Sequence, residues 1–541
     1  MQVIFILLEQ NPAANRNAHK IIYFSGGTRD MAYIESSNNK TPSLFSAIAI
    51  GVGCIVGSGW LFASYKASKF AGPIAMGSWV VGAALALIIA LLLAEIATYY
   101  SQETGLFARL LTLTHNPDYG FIVSSSNLFA TIITIPAEAE ASIQFISQAF
   151  PNIHDHIFNN DHFTALGIGL VCALMVLYGI LNYWGIQLLA KANNAITVIK
   201  LTVPTLTAIV FFAAAWHPGN FTSYHGSIAP YGWDKMFTAV VTCGIFYSFY
   251  GFSMITVFSK ELKNPQKNIP LALGGSVLIC LVIYLMLQAS FIGAIAPDSI
   301  VNGWHHLDFT SPLAQLAVIL GINWVAIVLY VDAAISPSGT GIIYVGSSSR
   351  MFTGMGEDGQ MPKIFAKEHP VHKISRLSIF VTLFFCTILV IFFDNWDKIM
   401  IVVSVFQLIS CLAVPIAFCK LRKINPEEKR PFRMPGGITL SYIAYIVVSY
   451  LLVQCGMLPL VLSLVLHLAF FILYCSVYHR NLAKSLKAFA SSWSMFVYLA
   501  LVSAFGFLQD SGTLDNLYNL VGFLIIMTLN YYFLLNQRNY N

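Results

Sequence analysis

Long apolar runs separated by short polar segments dominate the chain from residue 44 to its end. A helix that crosses a bilayer core needs about 20 apolar residues, and fourteen runs approach or exceed that length. They lie near residues 44–64, 73–99, 120–149, 165–181, 195–215, 237–259, 271–295, 313–347, 377–393, 399–419, 438–455, 458–478, 493–508 and 517–535. The pattern predicts an all-α integral membrane protein with fourteen spans, numbered here 1 to 14 in chain order.

The composition excludes several classes of protein. Of 541 residues, 57% are hydrophobic and only 10% are charged, with a mean hydropathy of +0.71, whereas a soluble chain is roughly 25% charged. A soluble enzyme, a nucleic-acid-binding protein and a disordered scaffold are therefore excluded. The nine cysteines lie within apolar runs and form no CxxC motif, so neither a disulfide framework nor a metal site is expected.

The basic residues predict how the chain is oriented, because short cytoplasmic loops are enriched in Lys and Arg. With the N-terminus inside, 24 of the 29 Lys and Arg fall in cytoplasmic segments and four, Lys66, Lys69, Lys235 and Lys398, fall outside. Removing one central span would invert the later loops and destroy this asymmetry. We therefore predict that both ends are cytoplasmic.

The polar beginning of the chain is predicted to be a cytoplasmic tail. The apolar run Val3–Leu8 is too short to span and lacks the basic region of a signal peptide, and either Met1 or Met31 is compatible with a start site. We expect a tail at 1–42, a ten-helix core at 43–420, and accessory helices with a short cytoplasmic C-terminus at 421–541.

Spans 1 and 6 contain interruptions. Span 1 carries four glycines within nine residues, Gly51, Gly53, Gly57 and Gly59, and each costs roughly 1 kcal/mol in a helix relative to alanine. They indicate either close helix packing or an unwound turn whose N–H groups face an anionic ligand. Span 6 has Gly251 among aromatic residues in the corresponding position of a second set of five spans. Paired interruptions of this kind indicate a transporter built as a five-plus-five inverted repeat, with broken helices 1 and 6 and four extra helices.

Lys200 is the one basic residue placed within a predicted span. Burial penalises a charged ammonium, so this lysine is a candidate for proton exchange and for contact with carbonyl groups released by a broken span 1. The alternative is that its amine extends from span 5 to the cytoplasmic interface.

Carboxylates within spans are further candidates, since charge in a bilayer is costly. Glu138 and Glu140 point about 200° apart on span 3 and cannot both face one cavity; either is a candidate, with a slight preference for Glu138. Asp332 precedes Ser336 in a part of span 8 that Pro337 loosens, which suggests a coupling region or an interhelical pair. Glu95 lies near the cytoplasmic end of span 2, where loop or water partners are expected.

Several motifs together resemble the amino acid–polyamine–organocation (APC) permease family. They are Gly53-x3-Gly57-Ser58-Gly59-Trp60, Leu93-Ala94-Glu95-Ile96, Phe249-Tyr250-Gly251-Phe252, Glu357-Asp358-Gly359 with Pro362-Lys363, and Arg430-Pro431-Phe432-Arg433. The resemblance runs from about residue 43 to 437, and other motifs look most like the branch with a bacterial aspartate–proton symporter. Ser253 departs from it, because many members carry glutamate there.

The resemblance implies a site at the two interruptions and alternating access. Amides around Gly57, Ser58 and Gly59 would hold the carboxylate of the substrate. Carbonyls near Ile55 and around Ser248, Phe249 and Tyr250 would take its α-ammonium, and Tyr247 would lie near the occluding gate. Lys200 matches a lysine that, in proton-coupled relatives, stands where sodium-coupled cousins bind an ion.

The expected function is secondary transport of an amino acid across an inner or plasma membrane, most simply proton-coupled symport. An exchanger, or a non-transporting amino acid sensor on the same scaffold, remains the alternative. We expect a small-molecule amino acid, a proton and the lipid bilayer as partners, no nucleic acid, no cofactor, no metal and no enzymatic activity.

Overall fold

The structure, a computed structural model, consists almost entirely of helices and describes residues 18–25, 28–35, 44–101, 106–159, 162–183, 187–222, 226–262, 264–369, 374–393, 395–514 and 516–537. Eighteen α-helices lie within these residues. They are α1 Leu44–Ile55, α2 Gly59–Ala71, α3 Ala75–Tyr99, α4 Leu106–Thr114, α5 Pro117–Ser147, α6 Pro151–Ile157, α7 Ala165–Tyr183, α8 Gln187–Ala214, α9 Lys235–Thr242, α10 Pro265–Ala294, α11 Pro312–Ile319, α12 Asn323–Glu357, α13 Arg376–Phe392, α14 Trp396–Ile424, α15 Gly437–Val453, α16 Met457–Tyr478, α17 Leu482–Asp510 and α18 Leu517–Asn536.

Short elements connect or extend these helices. They are 3₁₀ helices at Gly72–Ile74, Pro218–Phe221, Tyr247–Glu261, Pro297–Ile300 and Trp304–His306, and the small antiparallel pair β3 Phe158–Asn159 and β4 His162–Phe163. α4 and α6 fall in segments that the hydropathy pattern predicted as loops. α4 buries Leu106, Leu110 and Leu111, which explains how so short a helix is held against its neighbours.

The N-terminal unit, residues 1–43, contains an antiparallel hairpin where a plain polar tail was predicted. Strand β1 Ala18–Ser25 pairs with β2 Thr28–Glu35, with Ala18 opposite Glu35 and Ser25 opposite Thr28. Its β-branched and aromatic positions, which favour strands, are too few to stand out in a hydropathy search for spans.

The second unit, Leu44–Asn541, has the helices of a multi-pass membrane protein. Ten helices of the described residues are long and apolar enough to cross a membrane, and the bent pair α9 and Tyr247–Thr256 makes eleven. Two shorter apolar helices, α13 and α15, correspond to predicted spans 9 and 11. All fourteen predicted runs coincide with helix, while the number fourteen remains a prediction.

The prediction of one continuous helix for span 8 is wrong. α11 ends at Ile319 and α12 begins at Asn323, because Gly321 adopts a left-handed φ of 72° between them. The amide of Gly321 donates to the carbonyl of Val318 at 3.0 Å, and that of Ile322 to Ala317 at 2.9 Å. This pair of bonds is the Schellman ending of a helix, which glycine favours.

A buried ion cluster joins the far end of α3 to α14 and the loop after it. The carboxylate of Glu95, which is fully buried, accepts from Arg422 Nε at 2.9 Å and Nη2 at 2.6 Å, and from the amide of Met434 at 2.7 Å. Arg430 Nε lies 3.4 Å from it. Glu95 therefore has loop partners, which is one of the arrangements that its position suggested.

Candidate functional site

The chain is interrupted between α1 and α2. The amide of Gly57 donates to the carbonyl of Ile55 at 3.1 Å, where a continuous helix would pair it with Gly53 four residues earlier. The α-helical ladder stops at Ile55 and resumes at Gly59. The interruption therefore releases the carbonyl of Gly53 at one side and exposes N–H groups at the start of α2 on the other.

A second interruption lies at Cys243–Phe246, earlier than the sequence indicated. Gly244 has a φ of 76°, and α9 meets the following 3₁₀ helix at 58°. Gly251, the expected position, lies instead inside that 3₁₀ helix. Glycine readily adopts positive φ. Gly244 could therefore have indicated the turn from the sequence, but the search for apolar runs did not single it out.

The last turn of α1 and the start of α2 pack against the 3₁₀ helix that follows the second interruption, and glycine permits this contact. A Cβ on Gly251 would lie 2.7 Å from the amide nitrogen of Ile55 and still closer to the carbonyl of Cys54. A Cβ on Gly59 would overlap Ser248 Oγ. The residues expected to hold a carboxylate and those expected to hold an ammonium are thus brought together.

Glu138 of α5 fills the first interruption. The amide of Ser58 donates to its Oε2 at 2.7 Å, and the hydroxyl of Tyr247 donates to its Oε1. A Cβ on Gly57 would lie 2.9 Å from the carboxyl carbon of Glu138. The carboxylate is buried and occupies the kind of helix N-terminus that attracts anions.

Lys200 of α8 contacts the released carbonyl. Its Nζ donates to the carbonyl oxygen of Gly53 at 2.7 Å and to Thr340 Oγ1 of α12 at 2.6 Å. The side chain is fully buried rather than extended towards an interface. The amine therefore joins α8, α12 and the interruption of α1, while Glu138 and Asp332 lie close enough to interact with its charge.

Asp332 and Ser336 form a pair on α12. Ser336 Oγ donates to Asp332 Oδ1 at 2.7 Å, and Oδ2 has no hydrogen-bond partner among the described residues. Glu140 is buried on α5. Glu138 contacts Ser58 in the first interruption and Tyr247 directly after the second.

The remaining predicted residues support the 3₁₀ helix. Tyr250 donates to Asn127 Oδ1 at 3.0 Å, and the carbonyl of Ser248 accepts from Tyr284 at 3.1 Å. Phe249 packs edge-on against Tyr284, with ring centroids 5.3 Å apart. These contacts fix the position of the 3₁₀ helix beside α1.

Trp396 was not identified from the sequence. Its Nε1 donates to Ser58 Oγ at 3.3 Å, and its ring centroid lies 4.9 Å from that of Phe62. The residue is buried at the first turn of α14, where it covers the interruption. A tryptophan at the start of a span is an ordinary interfacial feature, so its pattern carried no special signal.

A cavity of about 540 Å³ lies beside α2, α9 and the first turns of α14. Its lining includes Lys66, Lys69 and Lys235 together with Tyr231 and His305. Three of the four basic residues predicted to face outside therefore converge on one cavity. Lys235 Nζ also lies 3.0 Å from Asp234 Oδ2, so an acidic group balances part of this positive charge.

Two interrupted helices that meet inside a bundle of apolar helices define a membrane transporter of small molecules. The chain matches the amino acid permease family over residues 43–478, and it belongs to that family. The family match confirms the resemblance seen in the motifs. It also confirms the prediction that the protein is a transporter rather than an enzyme.

Curated relatives from Bacillus subtilis (strain 168) agree with the family. The glutamate/serine transporter AimA is 39% identical over 75% of this chain and 76% of its own length. An aspartate-proton symporter is 30% identical over 87% and 91%. The branched-chain amino acid permease BcaP is 24% identical over 83% and 95%. Amino acid transport is therefore the common activity of these relatives.

Proposed function

We propose that the chain is a proton-coupled amino acid symporter of the cell membrane that works by alternating access. The observation that carries the proposal is the contact between Lys200 Nζ and the carbonyl of Gly53 at the interruption of α1. A charged amine there holds the position of α1, and loss of its proton weakens this contact. Proton binding and the movement of the interrupted helix are thereby linked.

The substrate is held at the two interruptions. Amides of Ser58 and Gly59 receive its carboxylate, joined by that of Gly57 when it releases the carbonyl of Ile55. Helix N-termini bind anions through backbone N–H groups and the helix dipole. Carbonyls near Ile55 and at Ser248 to Tyr250 receive its ammonium. Tyr247, which contacts Ser58 and Glu138 in the structure, closes the site from one side.

The architecture that we propose is a ten-helix inverted repeat at 43–420, preceded by the tail at 1–42 and followed by accessory helices at 421–541. Fourteen spans with both ends in the cytoplasm account for the distribution of Lys and Arg. The meeting of interruptions in the first and sixth spans supports the repeat.

Acidic amino acids and serine are the first substrates to test. Two relatives are a glutamate/serine transporter and an aspartate-proton symporter. The cavity with Lys66, Lys69 and Lys235 would attract a substrate with net negative charge on the predicted outer side.

The test is uptake of radiolabelled amino acids by proteoliposomes, with and without an inward pH gradient and with sodium absent or present. We expect accumulation above the equilibrium level only with the pH gradient and without any need for sodium. Accumulation that requires sodium would contradict proton coupling. Counterflow without pH-driven accumulation would favour an exchanger, and binding without flux would favour a sensor.

A further inference from the structure

We propose that Glu138 is a tethered carboxylate that occupies the substrate's carboxylate position when the site is empty and leaves it, protonated, when substrate binds. This inference rests on the proposed function, because it assumes that an amino acid carboxylate binds at the interruption of α1. It adds a residue that controls when that position is available.

The contacts of Glu138 lead to this role. Its oxygens are held by the amide of Ser58 and the hydroxyl of Tyr247, at 2.7 Å in the first case. Ser58 lies in the first interruption and Tyr247 begins the 3₁₀ helix after the second, while Glu138 itself belongs to α5. The bonds can therefore be broken by rotation of one side chain, without unwinding α5.

The space around Gly57 shows that the position cannot be shared. A single carbon added to Gly57 would lie 2.9 Å from the carboxyl carbon of Glu138. A substrate carboxylate bound to the Ser58 amide would need the same volume. Glu138 must therefore move before the substrate carboxylate can enter.

Charge explains why protonation accompanies the movement. Two carboxylates that share one site in a low-dielectric interior cannot both stay ionised, because like charges a few ångströms apart repel strongly. The substrate carboxylate brings one negative charge to the position at the Ser58 amide, and Glu138 keeps the charge there at one by taking up a proton, while the α-ammonium binds the carbonyls near Ile55. Substrate binding would thus take up a proton from solution.

Other titratable groups surround Glu138 and must be included in the test. Lys200 of α8 is the cation that interacts with it, and four tyrosines on other elements lie close enough to interact electrostatically. They are Tyr178 of α7, Tyr247 of the 3₁₀ helix, Tyr284 of α10 and Tyr344 of α12. Neutral tyrosines donate hydrogen bonds without titrating near neutrality, so Lys200 is the group whose titration must be separated from that of Glu138.

The experiment compares binding of serine and of glutamate, two of the substrates proposed above, to purified full-length wild type, Glu138→Gln and Glu140→Gln between pH 5.5 and 8.5. We expect wild-type affinity to fall at least tenfold with rising pH, because ionised Glu138 competes for the Ser58 amide. Glu138→Gln should bind with nearly constant affinity and at least tenfold more tightly than wild type at pH 8.5. Glu140→Gln, on the same helix about 200° away, should follow wild type.

Proton uptake gives a second readout that a purely structural role would not change. In weakly buffered detergent solution at pH 7.5, wild type and Glu140→Gln should take up protons from the solution when substrate binds. The Glu138→Gln protein should take up fewer protons per substrate bound. Lys200→Met, measured in parallel, identifies the share that belongs to the amine.

Two results would overturn the inference. One is a Glu138→Gln protein with the wild-type pH dependence. The other is weaker binding by that variant at every pH, which would mean that Glu138 contacts the substrate instead of competing with it. If wild type binds no amino acid, the proposed function fails and this inference falls with it; if wild type binds and Glu138→Gln changes nothing, the inference alone fails.

A second variant covers the case in which Glu138→Gln does not purify as a folded protein. Glu138→Asp keeps the charge, but its carboxylate is one methylene short of the Ser58 amide. We expect it to bind substrate more tightly than wild type at pH 8.5. Equal or weaker binding by Glu138→Asp would contradict the proposal that Glu138 occupies the interruption between α1 and α2.

Discussion

Replacement of Gly251 by alanine tests the contact between α1 and the 3₁₀ helix that follows the second interruption. The added Cβ would lie 2.7 Å from the amide nitrogen of Ile55 and closer still to the carbonyl of Cys54. Real Cβ atoms do not approach backbone this closely. Because the obstacle is main chain rather than a flexible side chain, α1 and the 3₁₀ helix must separate.

The sign of the effect on stability decides between two views of this glycine. Where alanine fits, replacing glycine stabilises a protein by about 0.4–1 kcal/mol through the unfolded state. Overpacking of a filled interior costs about 1–3 kcal/mol. We therefore expect Gly251→Ala to be destabilised. If this entire cost of about 1–3 kcal/mol weakens substrate binding, the affinity falls by roughly 5- to 150-fold, since 1.4 kcal/mol is a factor of ten.

The assay is the fraction of protein that stays monodisperse after heating in detergent, together with amino acid binding at 25 °C. Gly274→Ala is the matched control, because its Cβ would meet Leu87 and Leu91 at 3.6 Å, an ordinary contact. It should be as stable as wild type or more so, with unchanged binding. A Gly251→Ala protein as stable as Gly274→Ala, with normal affinity, would refute the backbone contact.

Three further changes test coupling, topology and the buried ion cluster. Lys200→Ala should lose pH-driven accumulation in proteoliposomes while keeping substrate binding or exchange, because backbone groups hold the substrate; full accumulation would show that the amine only fills space. A reporter fused after residue 300 should be accessible from outside and one after residue 365 from inside, and reversal of either would mean that the spans before it are miscounted. Glu95→Gln should cost about 3–5 kcal/mol, because the largely buried side chains of Arg422 and Arg430 then lose their counter-charge. This is measured as heat stability in detergent against the exposed control Glu427→Gln, and equal stability of the two variants would count against the cluster.

The position of Lys200 shows how far reasoning from the sequence reaches. Its isolation in an apolar run made a buried amine one of two interpretations, the other being extension to the interface. The glycines of span 1 likewise indicated either released carbonyls or close helix packing. The structure brings the amine and a released carbonyl together at 2.7 Å. Thr340, the other partner of the amine, lies 140 residues away, and no local pattern connects them.

Span 6 shows where such reasoning is less reliable. The aromatic residues around Gly251 drew attention to it as the interruption, whereas the chain turns at Gly244, which has the positive φ. Gly251 is glycine because α1 passes against it. A positive φ and a close backbone contact both require glycine. A glycine in the sequence therefore does not reveal which of these two requirements it meets.

The sequence by itself determined the membrane class, the family, the apolar runs that become helices, and the weakening of span 1, because these depend on composition and on residues a few positions apart. Tertiary structure alone decided which glutamate of α5 fills the interruption, which arginines surround Glu95, and that Trp396 covers Ser58. These contacts join residues 80 to more than 300 positions apart. The rotation of each helix against its neighbours selects them, and that rotation is set by packing of the whole bundle rather than by any local run of residues.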